Sequence, residues 1–219
     1  MKRVIIICEG QTEQEFCNKT LSPYFSTKQI FIQPPLIKKS NGGIVKWNEL
    51  KKQIENHLRQ DPTTFVSTLI DYYGIYQKYQ FPEWDASLDI TDKNERLDFL
   101  EQKMNDDINP RLNSRFIPYM QLHEFEGLLF SDINIFQQQL LENEIIDNQL
   151  LQETFRTFSD NPEMINDSPQ TAPSKRLGKI ISGYNKIVYG NILAETIGLQ
   201  NIINKCPRFG AWIHKIEII

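Results

Sequence analysis

Five apolar residues that end in an acid and a glycine, Val4-Ile5-Ile6-Ile7-Cys8 followed by Glu9-Gly10, restrict the fold more than any other stretch. A short, uninterrupted apolar run bounded by a turn signal fits a strand buried on both faces, as in a parallel sheet. The carboxyl ends of such strands form the edge where open α/β folds keep their ligands. Glu9 falls on that edge. Taken alone, it reads equally well as a solvated loop residue and as a catalytic or metal-binding carboxylate.

The chain continues in strand–helix alternation. Thr12, with Glu15 three residues on, has the pattern of a capping box opening a helix that carries Phe16, Leu21 and Phe25. Ile30-Phe31-Ile32-Gln33 predicts a second strand, and Lys38 to Gly43 a polar loop. Ile44, Trp47, Leu50, Ile54 and Leu58 recur at helical spacing until Asp61-Pro62. Residues 64–70 predict a third strand, rich in β-branched residues, that again ends in an acid, Asp71-Tyr72-Tyr73-Gly74. Carboxylates at neighbouring strand ends can share a divalent cation.

Residues 75–92 read as an irregular segment whose aromatics tuck onto the core, or alternatively as a lid or partner-facing segment. A helix is expected over 93–108. A fourth strand is expected over 115–122, at an edge or bulge because of Pro118. It leads into His123-Glu124-Phe125-Glu126-Gly127, a dense ionisable cluster that is not an HExxH zinc motif. If the chain stays extended there, Glu124 and Glu126 share a face. If a helix starts, His123 and Glu126 do.

The remainder reads as helical, broken at Asn161-Pro162 and by a turn-rich stretch from Asn166 to Pro173. Ser174 is expected to cap a helix with Lys175 and Arg176 in its first turn. Cations there suit a phosphate-gripping site or an ordinary surface pair. Lys205 and Arg208 form a second basic spot beside Phe209 and Trp212.

Composition excludes several classes. With 40% hydrophobic and 24% charged residues, the 219-residue chain is a folded protein, and its net charge of -4 does not mark a globally basic nucleic-acid binder. Three cysteines without a CxxC pair fit a reducing cytoplasmic setting. No apolar run is long enough to span a membrane. The expected division is an α/β core over 1–132, with an insertion around 75–110, and a helical C-terminal part over 133–219 packed on that core.

Glu9-Gly10-Gln11-Thr12-Glu13, Asp71-Tyr72-Tyr73-Gly74, His123 to Phe130, Pro173-Ser174-Lys175-Arg176-Leu177 and Cys206-Pro207-Arg208-Phe209 occur in order along nearly the whole chain. Together they resemble a family of bacterial proteins carrying a diverged Toprim-like domain, related to the Toprim domains of OLD-type nucleases. The resemblance implies a Rossmannoid open sheet, mostly parallel and flanked by helices. It also implies Mg²⁺ or Mn²⁺ held by Glu9 and Asp71, a nucleic-acid substrate, and an AAA- or ABC-type ATPase partner in phage-defence or mobile-element settings. The chain departs from the Toprim pattern at Tyr73, where a second aspartate belongs. Glu124 or Glu126 would supply the missing carboxylate.

The expected activity is therefore metal-dependent phosphodiester cleavage, with Glu9, Asp71 and Glu126 as ligands and Glu124 in support. Lys175 or Arg176 would stabilise the phosphate, and Lys205 and Arg208 would add phosphate contacts. His123 would transfer a proton or orient a carboxylate. The alternatives are a non-catalytic binding or regulatory subunit and, third, a nucleotidyl- or phosphotransferase using the same site.

Overall fold

The computed structural model describes residues 2–40, 43–165 and 168–219. It is an α/β protein. Strands β1 (Lys2–Cys8), β2 (Ile30–Gln33), β3 (Phe65–Asp71), β4 (Phe116–Ile117) and β5 (Met120–Gln121) form a parallel sheet in the order β2-β1-β3-β4, with β5 also paired to β3. The helices are α1 (Gln11–Phe16), α2 (Ser22–Ser26), α3 (Trp47–Gln60), α4 (Trp84–Ser87), α5 (Lys93–Asp107), α6 (Ile133–Gln139), α7 (Asn148–Phe158), α8 (Pro173–Ile180), α9 (Lys186–Ile197), α10 (Leu199–Lys205) and α11 (Pro207–Glu217). Among the described residues no helix is long and apolar enough to cross a membrane.

The apolar run does what its composition dictates. Successive side chains of a strand point to opposite faces. Val4, Ile6 and Cys8 enter one hydrophobic cluster and Ile5 and Ile7 the other, all at 2% exposure or less. Each isoleucine stabilises the fold by about 1.5–3 kcal/mol through burial. Helices α3 and α5 cover the Ile5/Ile7 face with Leu50, Ile54, Leu97 and Leu100. Helices α1, α2 and α9 to α11 cover the other with Phe16, Phe25, Leu193, Phe209 and Trp212.

Three expectations shift. First, α1 begins two residues early. Gly10, not Thr12, is its N-cap, and Glu13, not Glu15, reaches back to it, with Oε2 accepting the bond from Gly10 N at 2.9 Å. Second, the fourth strand is two short pieces. Pro118 cannot donate to a ladder, so Thr68 Oγ1 bonds both the N–H (3.0 Å) and the carbonyl (2.9 Å) of Tyr119, while Ser67 Oγ donates to the Ile117 carbonyl at 2.6 Å. Third, α8 starts at Pro173 with Ala172 as N-cap, so Ser174 lies inside the helix.

In the segment after Asp71, Ile75, Phe81 and Trp84 are buried and Tyr76 is exposed. The Trp47 and Phe81 rings meet at 5.5 Å and Tyr72 and Trp84 at 5.8 Å. Most of these aromatics do tuck onto the core. The expected loops at Lys38–Gly43 and Asn166–Pro173 include Asn41, Gly42, Asn166 and Asp167, which lie outside the described residues.

Candidate functional site

Because β1 and β3 are parallel neighbours, with Cys8 opposite Leu69, their carboxyl ends place Glu9 beside Asp71. Glu9 Oε2 accepts a bond from the Asp71 backbone N–H at 3.0 Å. Asp71 Oδ1 in turn accepts one from Phe125 N at 2.9 Å. Each carboxylate thus pins the backbone of the next strand exit. Tyr73 N donates to the His123 carbonyl at 2.9 Å, which extends the same stitching. His123 is buried and adopts a left-handed backbone conformation at φ 65°, a strained state for a non-glycine residue.

The turn at His123 decides how the acidic cluster divides. Glu124 is extended, and a 3₁₀ turn starts at Phe125. Glu124 and Glu126 therefore leave in different directions. Glu124 accepts two bonds from Ser174, from its N–H at 2.9 Å and its hydroxyl at 3.0 Å. Glu126, only 1% exposed, accepts the Lys186 ammonium on Oε1 at 2.7 Å, while Oε2 is buried without a partner. Lys186 is the first residue of α9, set there by Asn185, whose side chain accepts from Ile187 N and Val188 N at 3.0 Å.

The result is four carboxylates, Glu9, Glu13, Asp71 and Glu126, close enough to act on one another's charge, with Lys186 among them. Burial pushes Glu9 from 4.5 up to about 7. The Glu13 and Glu126 charges add to that rise, while the Asp71 N–H and Lys186 oppose it. Burial, followed by the charges of Glu13, Glu9 and Glu126, holds Asp71 well above the usual carboxylate range. Glu13 and Glu126 are raised chiefly by burial as well. Burial works against the Lys186 ammonium, but Glu126, Glu124 and Asp71 outweigh it and hold the group charged. A cavity of about 790 Å³ opens on this cluster, with Glu9 and Lys186 in its lining.

Oxygen-only donors suit Mg²⁺ or Mn²⁺, and the partnerless Glu126 Oε2 is an oxygen able to take one. The set is not closed, however. Glu9 and Asp71 each commit an oxygen to a backbone amide, and Lys186 holds Glu126. Among the described residues no group of three or more His, Cys, Asp or Glu side chains is arranged to hold a metal ion.

The basic residues expected to grip phosphate are placed differently. Arg176 donates to the Thr171 carbonyl (2.9 Å) and to Thr154 Oγ1 (3.1 Å), and lies 5.6 Å over the Phe158 ring. Arg208, its side chain 9% exposed, pairs with Glu101 at 2.6 Å and with Asp98. Both are built into the fold. Lys205 donates to the Ser159 carbonyl at 3.0 Å, and Lys175 is exposed on α8. Sequence reasoning assigned no role to Glu13, Tyr184 or Lys186. Glu13 was accessible, because a glutamate three residues after a helix-opening residue is a capping signal. Lys186 carried none, since 60 residues separate it from Glu126.

A parallel open sheet with carboxylates gathered at its carboxyl edge defines an α/β protein. Residues 8–217 match the family described as a domain of unknown function (DUF4276), so the chain belongs to that family. No curated protein and no solved structure matches it.

Proposed function

We propose that this protein is a divalent-metal-dependent nuclease that hydrolyses phosphodiester bonds in the cytoplasm. The carrying observation is geometric: Glu9 and Asp71 end adjacent parallel strands and are tied by the Asp71 N–H, and Glu126 lies near them with Lys186 as its ion-pair partner. Carboxyls gathered out of water hold protons or share a cation, and a site of oxygens takes a hard divalent ion.

Glu9, Asp71 and Glu126 would hold that ion. Bound Mg²⁺ or Mn²⁺ supplies Lewis acidity toward a phosphoryl oxygen and acidifies water. Lys186 faces the cluster and takes the phosphate-stabilising role first assigned to Lys175. Glu124 orients α8 through Ser174, and Glu13 fixes the Gly10 turn that presents Glu9. His123 keeps its proposed role as a proton-transfer or orienting group. The Toprim-like resemblance supports the same reading and adds an AAA- or ABC-type ATPase partner.

Titration calorimetry of Mn²⁺ into chelator-stripped protein tests the site, and cleavage of plasmid and of single-stranded DNA and RNA in Mg²⁺ or Mn²⁺ tests the activity. Glu9→Gln and Asp71→Asn retain an acceptor for the backbone amides and should abolish both signals without loss of the circular-dichroism spectrum. Wild-type protein that neither binds Mn²⁺ nor cuts, alone or with the ATPase, refutes the nuclease. A second reading, a non-catalytic regulatory subunit, is favoured by the clamping role of Glu9 and Asp71 and by tyrosine at position 73. It predicts partner binding that survives both substitutions.

A further inference from the structure

The cavity that opens on the carboxylate cluster differs from the cluster in chemistry. Its volume, about 790 Å³, lies within the roughly 300–1,000 Å³ range of small-ligand sites. Beside Glu9 and Lys186 it is lined by apolar Leu36, Ile37 and Ile187, by the Tyr184 ring, and by the side-chain amides of Gln11 and Asn185. Apolar walls, one aromatic ring and a few amides fit a flat heteroaromatic group with polar edges. A single acidic and basic end fits the phosphate attached to it.

Duplex nucleic acid suits this surface poorly. Duplex binding depends on many cations neutralising successive phosphates. Here Arg176 and Arg208 are tied to internal partners, the formal net charge is -4, and Lys186 is the cation in the described cavity lining. Bases inside a duplex are also stacked and cannot enter a concave site without extrusion, whereas single strands offer unstacked bases to aromatic side chains.

We propose that this cavity is a subsite for one unstacked nucleotide, so that the substrate of the site is a single strand and not a duplex. The inference rests on the nuclease reading and deepens it. Ile187, in the lining, is 40% exposed. The apolar wall is therefore open to a ligand at Ile187, with Tyr184 beside it in the lining.

Fluorescence anisotropy of a labelled 12-nucleotide single strand and of the matching duplex, with the full chain in Ca²⁺, measures the preference directly. Wild type should bind the single strand at least about ten-fold more tightly. Its log K against log salt slope should be shallow, reflecting about one or two phosphates at about 0.7 each. Ile187→Glu should weaken single-strand binding about ten-fold. Phe31→Glu, a similarly exposed change opposite Arg3 toward the amino ends of the strands, should leave it unaltered. Equal or tighter duplex binding, no single-strand binding, or indifference to Ile187→Glu overturns the proposal. Parallel Mn²⁺ titration separates the two failures. Metal binding with duplex preference sinks the subsite alone, and single-strand preference without metal binding sinks the nuclease alone.

Discussion

Replacing Arg208 by methionine tests whether this arginine belongs to the fold or to a substrate. Its guanidinium lies 2.6 Å from Glu101 Oε1 and also pairs with Asp98. The two buried side chains are 9% and 7% exposed, whereas Asp98 is 69% exposed. The pair with Asp98 is solvent-screened and contributes below about 1 kcal/mol. The pair with Glu101 is different, because removing one partner leaves the other charge buried, at a cost of about 3–5 kcal/mol. Burial already holds the Glu101 carboxyl above its ordinary value, with Arg208 pulling it down. Without the arginine, Glu101 should rise further, and the penalty should shrink as pH falls and the carboxyl is protonated. Glu101→Gln in the same chain should restore most of the stability, since a glutamine oxygen can still accept the bond from Met120 N, 2.8 Å in the parent. Urea denaturation followed by tryptophan fluorescence at pH 5.5 and 8 reads all three. A loss below about 1 kcal/mol at pH 8, or no rescue by Glu101→Gln, refutes the structural role and returns Arg208 to the surface as a phosphate contact.

Metal-free stability should fall as pH rises through neutrality. Glu9 holds its proton more tightly in the fold, near pH 7 against 4.5, so its contribution is complete below 4.5 and lost on passing 7. One pKa unit is about 1.4 kcal/mol, giving at most about 3–4 kcal/mol from Glu9. Chemical denaturation in chelator from pH 5 to 8 should show the decline, and Glu9→Gln should flatten it. Asn185→Ala removes the cap that sets Lys186 at the start of α9 and should cost about 1 kcal/mol in thermal or chemical melts. Gly210→Ala would place a Cβ 2.9 Å from the Ile203 carbonyl oxygen, across the α10–α11 contact. A destabilisation of about 1–3 kcal/mol is expected, and an unchanged melting point would show that the two helices separate freely.

The alternation of apolar strands and amphipathic helices was legible because burial on both faces leaves a continuous apolar run, and burial on one side leaves a 3.6-residue period. Val4 to Cys8 and Trp47 to Leu58 carry those signatures openly. That Glu9 and Asp71 each follow an apolar strand was legible, whereas their adjacency is set by the pairing of β1 with β3. Local rules failed where distant side chains completed a local need. Thr68 repairs the ladder that Pro118 breaks, Glu124 bonds Ser174, which sequence had placed as a cap, and Glu163 accepts the N–H groups of Arg208 (2.8 Å) and Phe209 (3.1 Å) at the start of α11.

Sequence by itself determined the long strands, the acids at their ends and the covering helices, because those depend on short-range periodicity. Tertiary structure alone decided the charge balance of the site. It turned Glu124 away, buried Arg208 against Glu101, and brought Lys186 across 60 residues of chain to Glu126. Whether a charge faces a ligand or a neighbour depends on contacts between segments far apart in sequence, and no local pattern of residues encodes them.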